Sequence, residues 1–295
     1  MPNTGRSRIH LAAISPALNK TMRISIVSYA GKEAQLKKTL ASLLMACVLP
    51  LRKQLLRSVD IALVNNGPTQ AERGKIEALL QFGRELAPDG VTLSMLGDGS
   101  NVGYGAGHNQ AFDVGGSDFH LVLNPDVELA PDALFESLEF MASNNDCGIL
   151  APAIFDRDGN RQYLCKLYPS VLDLLIRGFA PSWLRGMFQR RLANYEMRDL
   201  IAESVVWEPP IISGCFMLLR SSLLGQIKGF DPSYFLYFED FDLSLRAAKI
   251  CRIAYVPAVQ IVHYGGYAAR KGFRHILMFV RSAVTFFNTH GWKWI

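Results

Sequence analysis

Apolar positions in the first half of the chain fall into short runs, separated by stretches in which they recur at helical spacing. Ile24-Ser25-Ile26-Val27-Ser28-Tyr29 leads into a loop containing Gly31 and predicts a buried parallel strand. Leu36, Leu40, Leu43 and Leu44 predict a helix over 32–47. Ile61–Val64 predicts a second strand, stopped by the turn residues Asn65-Asn66-Gly67-Pro68. Residues 69–86 predict a second helix, and Val91–Leu96 a third strand. A glycine-rich loop, Gly97 to Gly107, leads into a helix expected over 108–114. Phe119–Leu123 is a fourth strand ending at Asn124-Pro125-Asp126, and Pro131 suits the first turn of the next helix. This alternation predicts an α/β fold, a central mostly parallel sheet with helices on both faces. Ligands of such sheets bind at the carboxyl ends of strands, where the loops Tyr29–Gly31, Asn65–Pro68 and Asn124–Asp126 converge.

The second half has a different pattern. Short strands are expected within 151–165, with a turn at Asp158-Gly159-Asn160. Residues 171–192 are apolar and basic together, and Pro181 divides them. A buried strand is expected over 211–220, a helix over 240–250, strands over 252–262 and an amphipathic helix over 273–288. Residues 1–21 read as a flexible tail outside the fold.

The 295 residues are 49% hydrophobic and 19% charged, which describes a globular chain with a sizeable core. The net charge of +5 suits an anionic substrate or an acidic membrane surface and is too small to argue for nucleic acid. Five scattered cysteines without a CxxC pair read as reduced thiols of a cytoplasmic protein. No apolar run reaches the roughly 18 residues of a spanning helix.

The strongest chemical signal is Glu239-Asp240-Phe241-Asp242, preceded by the almost wholly apolar Tyr234–Phe238. Carboxylates in an apolar setting need partners, a shifted pKa or a chemical role. Asp242 and Arg246 are spaced to pair on a helix, which accounts for Asp242 but not for Glu239 or Asp240. Asp126 at a strand end could hold a cation or simply open a turn. Asn65-Asn66-Gly67 and the stretch from Asn101 through Gly103 to Asn109 could contact a ligand or serve only as turn and loop. His263 follows a strand and precedes two glycines, and could ligate a metal or be a packed histidine.

Taken in order, these pieces resemble the family 2 glycosyltransferases, particularly rhamnosyltransferase-like members. The resemblance spans about residues 23–290 and rests on ISIVSY (24–29), VNNGPT (64–69), NVGYGAGHNQAF (101–112), LNPDV (123–127), SGCFMLLR (213–220), GFDPSYFLYFEDFDLSLR (229–246) and YVPAVQIVHYGG (255–266). It implies a GT-A fold over 22–266, with 22–126 the nucleotide-binding half and 127–266 the acceptor-binding half, followed by a C-terminal helical extension, 267–295. It implies inversion at the anomeric carbon, with Asp240 as catalytic base and Glu239 beside it toward the acceptor. It assigns Tyr29, Asn65, Asn101, Gly103, Asn109 and Asn124 to the nucleotide-sugar donor, and Asp126 and His263 to a divalent metal, Mg or Mn. The aromatic run 234–238 becomes a candidate wall of the acceptor site. The implied donor is dTDP-rhamnose, with UDP-sugars behind it, and the implied acceptor is a glycan or a polyprenyl-diphosphate-linked glycan of cell-surface polysaccharide synthesis. The arginine-rich segment 171–192 is a candidate peripheral contact with the inner face of the cell membrane, or else a lid or a dimer interface.

Two departures from the family pattern matter: Ala30 stands where the family has Asn after Tyr, and Asn65-Asn66 where it has Asp-Asn. The metal motif is likewise reduced to Asn124-Pro125-Asp126, so one carboxylate and one histidine make a lean site. The rival readings are a catalytically impaired sugar-nucleotide-binding protein and a nucleotidyltransferase.

Overall fold

The computed structural model describes residues 18–29, 33–112, 116–265 and 272–295. The first 17 residues of the expected tail, the loop residues 30–31, the helix positions 113–114 and the start of the C-terminal extension lie outside the described residues. The strands are β1 (Lys20–Ser28), β2 (Leu56–Asn65), β3 (Val91–Leu96), β4 (Phe119–Leu123), β5 (Val127–Leu129), β6 (Cys147–Phe155), β7 (Arg161–Gln162), β8 (Val206–Trp207), β9 (Phe216–Arg220) and β10 (Arg252–His263). They form one sheet in the order β3-β2-β1-β4-β9-β6-β10-β5, with β7 beside β6 and β8 beside β10. β1 pairs in parallel with β2 and β4, β2 with β3, and β6 with β10. β9 runs against both β4 and β6, so the central sheet is mixed, with its other long strands all parallel.

β3 and β4 coincide with their apolar runs. β1 and β2 start earlier, because charged residues at their entry are paired: Lys20 Nζ lies 2.9 Å from Asp118, and Arg23 bonds Asp60. Lys20 and Thr21, expected in the tail, are therefore strand residues.

The helices are α1 (Glu33–Arg52), α2 (Gln70–Leu86), α3 (Tyr104–Asn109), α4 (Ala133–Ser143), α5 (Val171–Phe179), α6 (Ser182–Met187), α7 (Gln189–Tyr195), α8 (Ser221–Ile227), α9 (Glu239–Ala247) and α10 (Phe273–His290). Strand alternation sends neighbouring residues to opposite faces. Leu121, Leu123, Phe216 and Leu218 pack with α1, α2 and α4 on one face, while Val122, Met217 and Leu219 pack with α8 and α9 on the other. Burial on both faces explains why the strands read as nearly continuous apolar runs. α1 is long and apolar enough by composition to cross a bilayer. It lies instead on the sheet, with Leu36, Leu40, Leu43 and Leu44 in the core.

The helix expected over 108–114 forms earlier, within the glycine-rich stretch itself. Close approach is the reason. A Cβ on Gly105 would come within 2.8 Å of Phe230, and one on Gly107 within 3.0 Å of Val27. Glycine lets α3 sit directly on the sheet, and this brings His108 against Ser25. Ser25 Oγ lies 2.7 Å from His108 Nδ1 and 2.8 Å from His120 Nε2, all three residues being buried.

Burial pushes the His120 imidazole down to about 3, helped by Arg23. His108 lies well below the usual range, through burial and then its neighbour His120. An unfolded chain takes up protons on these rings near pH ~6.5 that the folded chain refuses. The His120 contribution to stability is therefore fully present above about pH 6.5 and is lost as pH falls toward about 3, at ~1.4 kcal/mol per pH unit, and His108 adds a loss in the same direction. Urea unfolding as a function of pH checks this: His120→Gln should give a visibly shallower loss of stability below about pH 6 than the wild type.

Candidate active site

Because β9 is reversed, its amino end meets the carboxyl ends of β1, β2, β4, β6 and β10 at one edge of the sheet. The Asn124 N–H donates to Cys215 O at 2.9 Å, tying the end of β4 to the start of β9. The Gly214 N–H donates to Asp240 Oδ2, also at 2.9 Å. Tyr104 Oη donates to Gly214 O at 2.7 Å from the other side. Burial raises the Tyr104 hydroxyl well above its usual range, with Glu239, Cys215, Asp240 and Asp126 adding to the shift in that order.

The carboxylates are presented by an unusual turn. Tyr237 and Phe238 have φ of 70° and 66°, the left-handed region that bulky side chains avoid. Each such residue costs on the order of 1–3 kcal/mol and persists only where its surroundings over-determine it. Here Phe235 O accepts from Tyr104 N at 3.0 Å, Leu236 O accepts from Ser282 Oγ at 2.8 Å, and Tyr237 Oη lies 2.9 Å from His275 Nδ1. The Phe238 ring packs against Phe241, Phe279 and Phe286. α9 begins at Glu239 immediately after this turn.

The two carboxylates differ in their donors. Asp240 is half-buried and accepts from the Gly214 and Phe241 amides at 2.9 and 3.0 Å. Glu239 is buried, and its Oε2 has no hydrogen-bond partner. Burial pushes Glu239 well above the usual carboxylate range, and Asp240 beside it adds to the rise. Burial also raises Asp240, opposed by the two amides and by the Lys166 ammonium. Two adjacent carboxyls in a low dielectric do not both ionise readily, and amide donors favour the anion. The anion belongs on Asp240 and the proton on Glu239.

Asp126 and His263 come together through register. Val127 of β5 pairs antiparallel with His263 of β10, and Tyr264 N donates to Asp126 O at 3.0 Å. His263 Nε2 lies 3.5 Å from Asp126 Oδ1 and 3.4 Å from Asn124 Nδ2. Its Nδ1 faces Gln162 Oε1 at 3.3 Å, and Gln162 Nε2 donates to His263 O at 2.9 Å. A proton on Nδ1 leaves the Nε2 lone pair toward Asp126, the arrangement usual for a metal-ligating histidine. A Cβ on Gly265 would lie 2.5 Å from His263 Nε2 and 3.3 Å from Asp126 Oδ2, so glycine keeps this space open. One carboxylate and one imidazole fit a divalent ion whose remaining ligands are diphosphate oxygens or water. No cluster of three His, Cys, Asp or Glu side chains suited to a metal occurs among the described residues.

Most of the residues expected to meet the donor have partners of their own. Tyr29 is exposed at the end of β1. Asn65 Oδ1 accepts from Gly67 N at 3.0 Å. Asn66 Nδ2 donates to Gly103 O at 2.8 Å, leaving its buried Oδ1 without a partner. Asn101 Oδ1 accepts from Gly103 N at 3.2 Å. Gly103 has φ of 90°, and a Cβ there would sit 2.3 Å from Phe235 O, so the loop depends on glycine.

Residues 24–227 match the family described as Glycosyl transferase family 2. The chain belongs to glycosyl transferase family 2. An N-acetylglucosaminyl-diphospho-decaprenol L-rhamnosyltransferase of Mycobacterium tuberculosis is 30% identical over 234 residues, covering 73% of this chain and 69% of the relative. The rhamnosyltransferase WbbL of Escherichia coli (strain K12) is 28% identical over 184 residues, 58% of this chain and 64% of the relative. The chain is thus a rhamnosyltransferase-like glycosyltransferase. Two solved structures share its fold at low identity. The mannosyltransferase PcManGT from Pyrobaculum calidifontis, in complex with GDP-Man and Mn2+, has a TM-score of 0.56 at 15% identity, covering 90% of this chain and 64% of that one. S. aureus TarS has a TM-score of 0.53 at 14% identity, covering 91% and 40%. This chain therefore spans less than two thirds of either structure, and the architecture it shares with them is GT-A. The family match ends at residue 227, before Glu239, Asp240 and His263.

Two expectations for this glycosyltransferase need correction. The Asn109 amide faces the protein: its Oδ1 accepts from Phe230 N at 2.9 Å and its Nδ2 donates to Phe230 O at 2.8 Å, which makes it a loop anchor instead of a donor contact. The aromatic run does not wall an acceptor site as a unit, because Tyr234 and Phe238 are buried against Phe286 and Phe287 of α10, and Phe235 alone of the run is exposed. Residues that sequence reasoning missed include Tyr104, Gly214, Gln162 and Lys166. Lys166 is buried with its Nζ donating to Tyr163 O at 2.6 Å, and burial pulls it down to about 7. Its apolar flanks, Leu164, Cys165, Leu167 and Tyr168, were the signal that could have found it.

Asp242 takes the structural role expected of it. Arg246 Nε donates to its Oδ2 at 2.7 Å, and His290 Nε2 of α10 lies 2.8 Å from Oδ1. Arg246 also donates to Gly229 O at 2.8 Å. Asp242→Ala leaves Arg246 without its carboxylate partner in a largely buried setting, and should lower stability by about 3 kcal/mol in denaturant unfolding. Retention of full stability would show that the aspartate does not tie α9 to α10.

Proposed function

We propose that the chain transfers L-rhamnose, with inversion, from dTDP-rhamnose to a polyprenyl-diphosphate-linked glycan in cell-surface polysaccharide synthesis. The observation that carries the catalytic reading is Asp240, fixed by two backbone amides on the strand edge that also holds Asp126 and His263. The similarity to a decaprenol-diphosphate-dependent rhamnosyltransferase supports the sugar and the acceptor class. Asp240 takes the proton of an acceptor hydroxyl as that oxygen attacks the anomeric carbon. The new carbon–oxygen bond forms as the bond to the nucleoside diphosphate breaks, so no covalent enzyme intermediate is needed. A base raised toward the working pH is suited to this step, and Gly214 holds it in position. Glu239, kept protonated by burial, can donate a hydrogen bond to the acceptor. A divalent ion bound by Asp126 and His263 would offset charge on the departing diphosphate. Tyr29, Asn65, Asn66, Asn101, Gly103 and Asn124 would meet the nucleotide end of the donor. The acceptor would be met at the inner face of the membrane, with residues 171–192 in contact with it.

Asp240→Asn should lower the turnover number by roughly 10²–10⁴-fold while leaving nucleotide affinity, read by calorimetry, nearly unchanged. Turnover close to wild type would remove Asp240 from the base role. Gly265→Ala crowds His263 Nε2 and should raise the Mn2+ concentration needed for half-maximal transfer by about tenfold or more. An unchanged metal titration would place the ion elsewhere.

A further inference from the structure

The C-terminal helix has two apolar faces, and only one is used inside the protein. Ser282, Phe286 and Phe287 are buried against the turn that precedes α9. Phe273, Leu277, Val280 and Val284 recur at i, i+4, i+7 and i+11, which places them in a single stripe. That stripe faces outward, with Phe273 78% and Leu277 60% exposed. α5 and α6 continue it. Phe179 of α5 meets Phe279 of α10 edge to face, with ring centroids 6.5 Å apart. α6 follows after Ala180-Pro181 and exposes Trp183 (69%) and Met187 (75%), also i and i+4.

The charges around this surface have one sign. α6, α7 and α10 contain no Asp or Glu. The acid of α5 is Asp173, which is buried and bonded to Arg191 at 2.6 Å. Arg185, Arg190, Arg274 and Arg281 are exposed, and none pairs with a carboxylate among the described residues. On α10, Arg274 and Arg281 lie seven residues apart and flank the apolar stripe. Their aliphatic stems can lie along apolar surface while the guanidinium groups reach outward to phosphates. α10 cannot cross a bilayer in this state, because its opposite face is occupied by the protein core. It can lie flat in the interface between headgroups and acyl chains.

We infer that α5, α6 and α10 form one docking face for an anionic phospholipid surface, with α10 contributing the central apolar stripe. The face goes beyond the contact proposed for residues 171–192, since its largest stripe is in the C-terminal helix. Its purpose rests on the lipid-linked-acceptor reading, but its binding does not. The inner side of α10 holds the catalytic turn through Ser282 to Leu236 and His275 to Tyr237. A bilayer on the outer side would therefore lie one helix diameter behind the turn that presents Asp240.

Flotation of the full chain with phosphatidylcholine vesicles, with and without phosphatidylglycerol, tests this without any sugar nucleotide or acceptor. The chain should float with the phosphatidylglycerol vesicles, lose most of that binding at high salt, and stay behind with phosphatidylcholine alone. Leu277→Glu combined with Val280→Glu, and separately Arg274→Glu combined with Arg281→Glu, should each weaken partitioning by about tenfold or more. Both variants alter exposed side chains, so their thermal unfolding should match the wild type and show that the fold is intact. No flotation with anionic vesicles, or flotation unaffected by either variant, overturns the proposal. A concentration-dependent dimer that both variants abolish also overturns it, by assigning the face to a second copy of the chain. Because no transfer is measured, a chain that binds vesicles but does not transfer rhamnose would fail the functional reading alone.

Discussion

A hydrogen bond from the Gly214 amide to the Asp240 side chain ties the segment entering β9 to the helix that carries Glu239 and Asp240, beside the Ser244–Ile212 contact. It can form only because β9 runs opposite to its neighbours. In a wholly parallel sheet the amino end of that strand would lie at the far edge, and its preceding loop would be remote from the ends of β4 and β10. The reversal places Ser213, Gly214 and Cys215 among the ligand-facing loops. Asn124 and Tyr104 then bond to the same short segment. The end of β4, α3 and the start of α9 are therefore referenced to one piece of backbone.

That reference also separates the two acids. Glu239 and Asp240 are chain neighbours in similarly apolar surroundings, and their sequence alone does not say which one is ionised. The difference lies in the donors: two amides reach Asp240, while Glu239 Oε2 has none. Burial raises both groups, but the anion has partners at only one of them. An unpaired buried charge is costly, whereas a protonated carboxyl is tolerated, so the arrangement favours the anion on Asp240 and the proton on Glu239 without a further residue.

The parts legible in the sequence were those governed by local periodicity. β3 and β4 were read to the residue, since each is a short apolar-rich run bounded by turn formers, although β4 is buried throughout and β3 is a largely half-exposed edge strand. The family resemblance, not spacing, named Asp126, Asp240 and His263 together, because more than a hundred residues separate Asp126 from the other two; the structure brings Asp126 and His263 within 3.5 Å. The left-handed pair Tyr237 and Phe238 was not legible: nothing in two aromatic residues announces positive φ, and the conformation is imposed by Ser282 and His275 from a distant helix. The glycine-rich stretch was read as a loop and is partly helix, because its glycines serve close packing on Phe230 and Val27. Asn109 was read as a donor contact because its amide chemistry is right, but its partners lie 121 residues away in Phe230. In each case tertiary contacts decided what local pattern left open.

The central position of β9 also bears on how the molecule can assemble. It lies between β4 and β6, and β6 must in turn receive β10 from about a hundred residues further along. The sheet is incomplete until distant parts of the chain have met, so its contact order is high and its folding is expected to be slow. A chain cut after residue 126 would leave β4 as an open strand edge, with its apolar faces only partly covered. Such an edge is an aggregation hazard, not a stable boundary. The two halves expected from the sequence are thus regions of one cooperative sheet, and evolution or engineering could exchange the loops at its edge far more readily than the halves themselves.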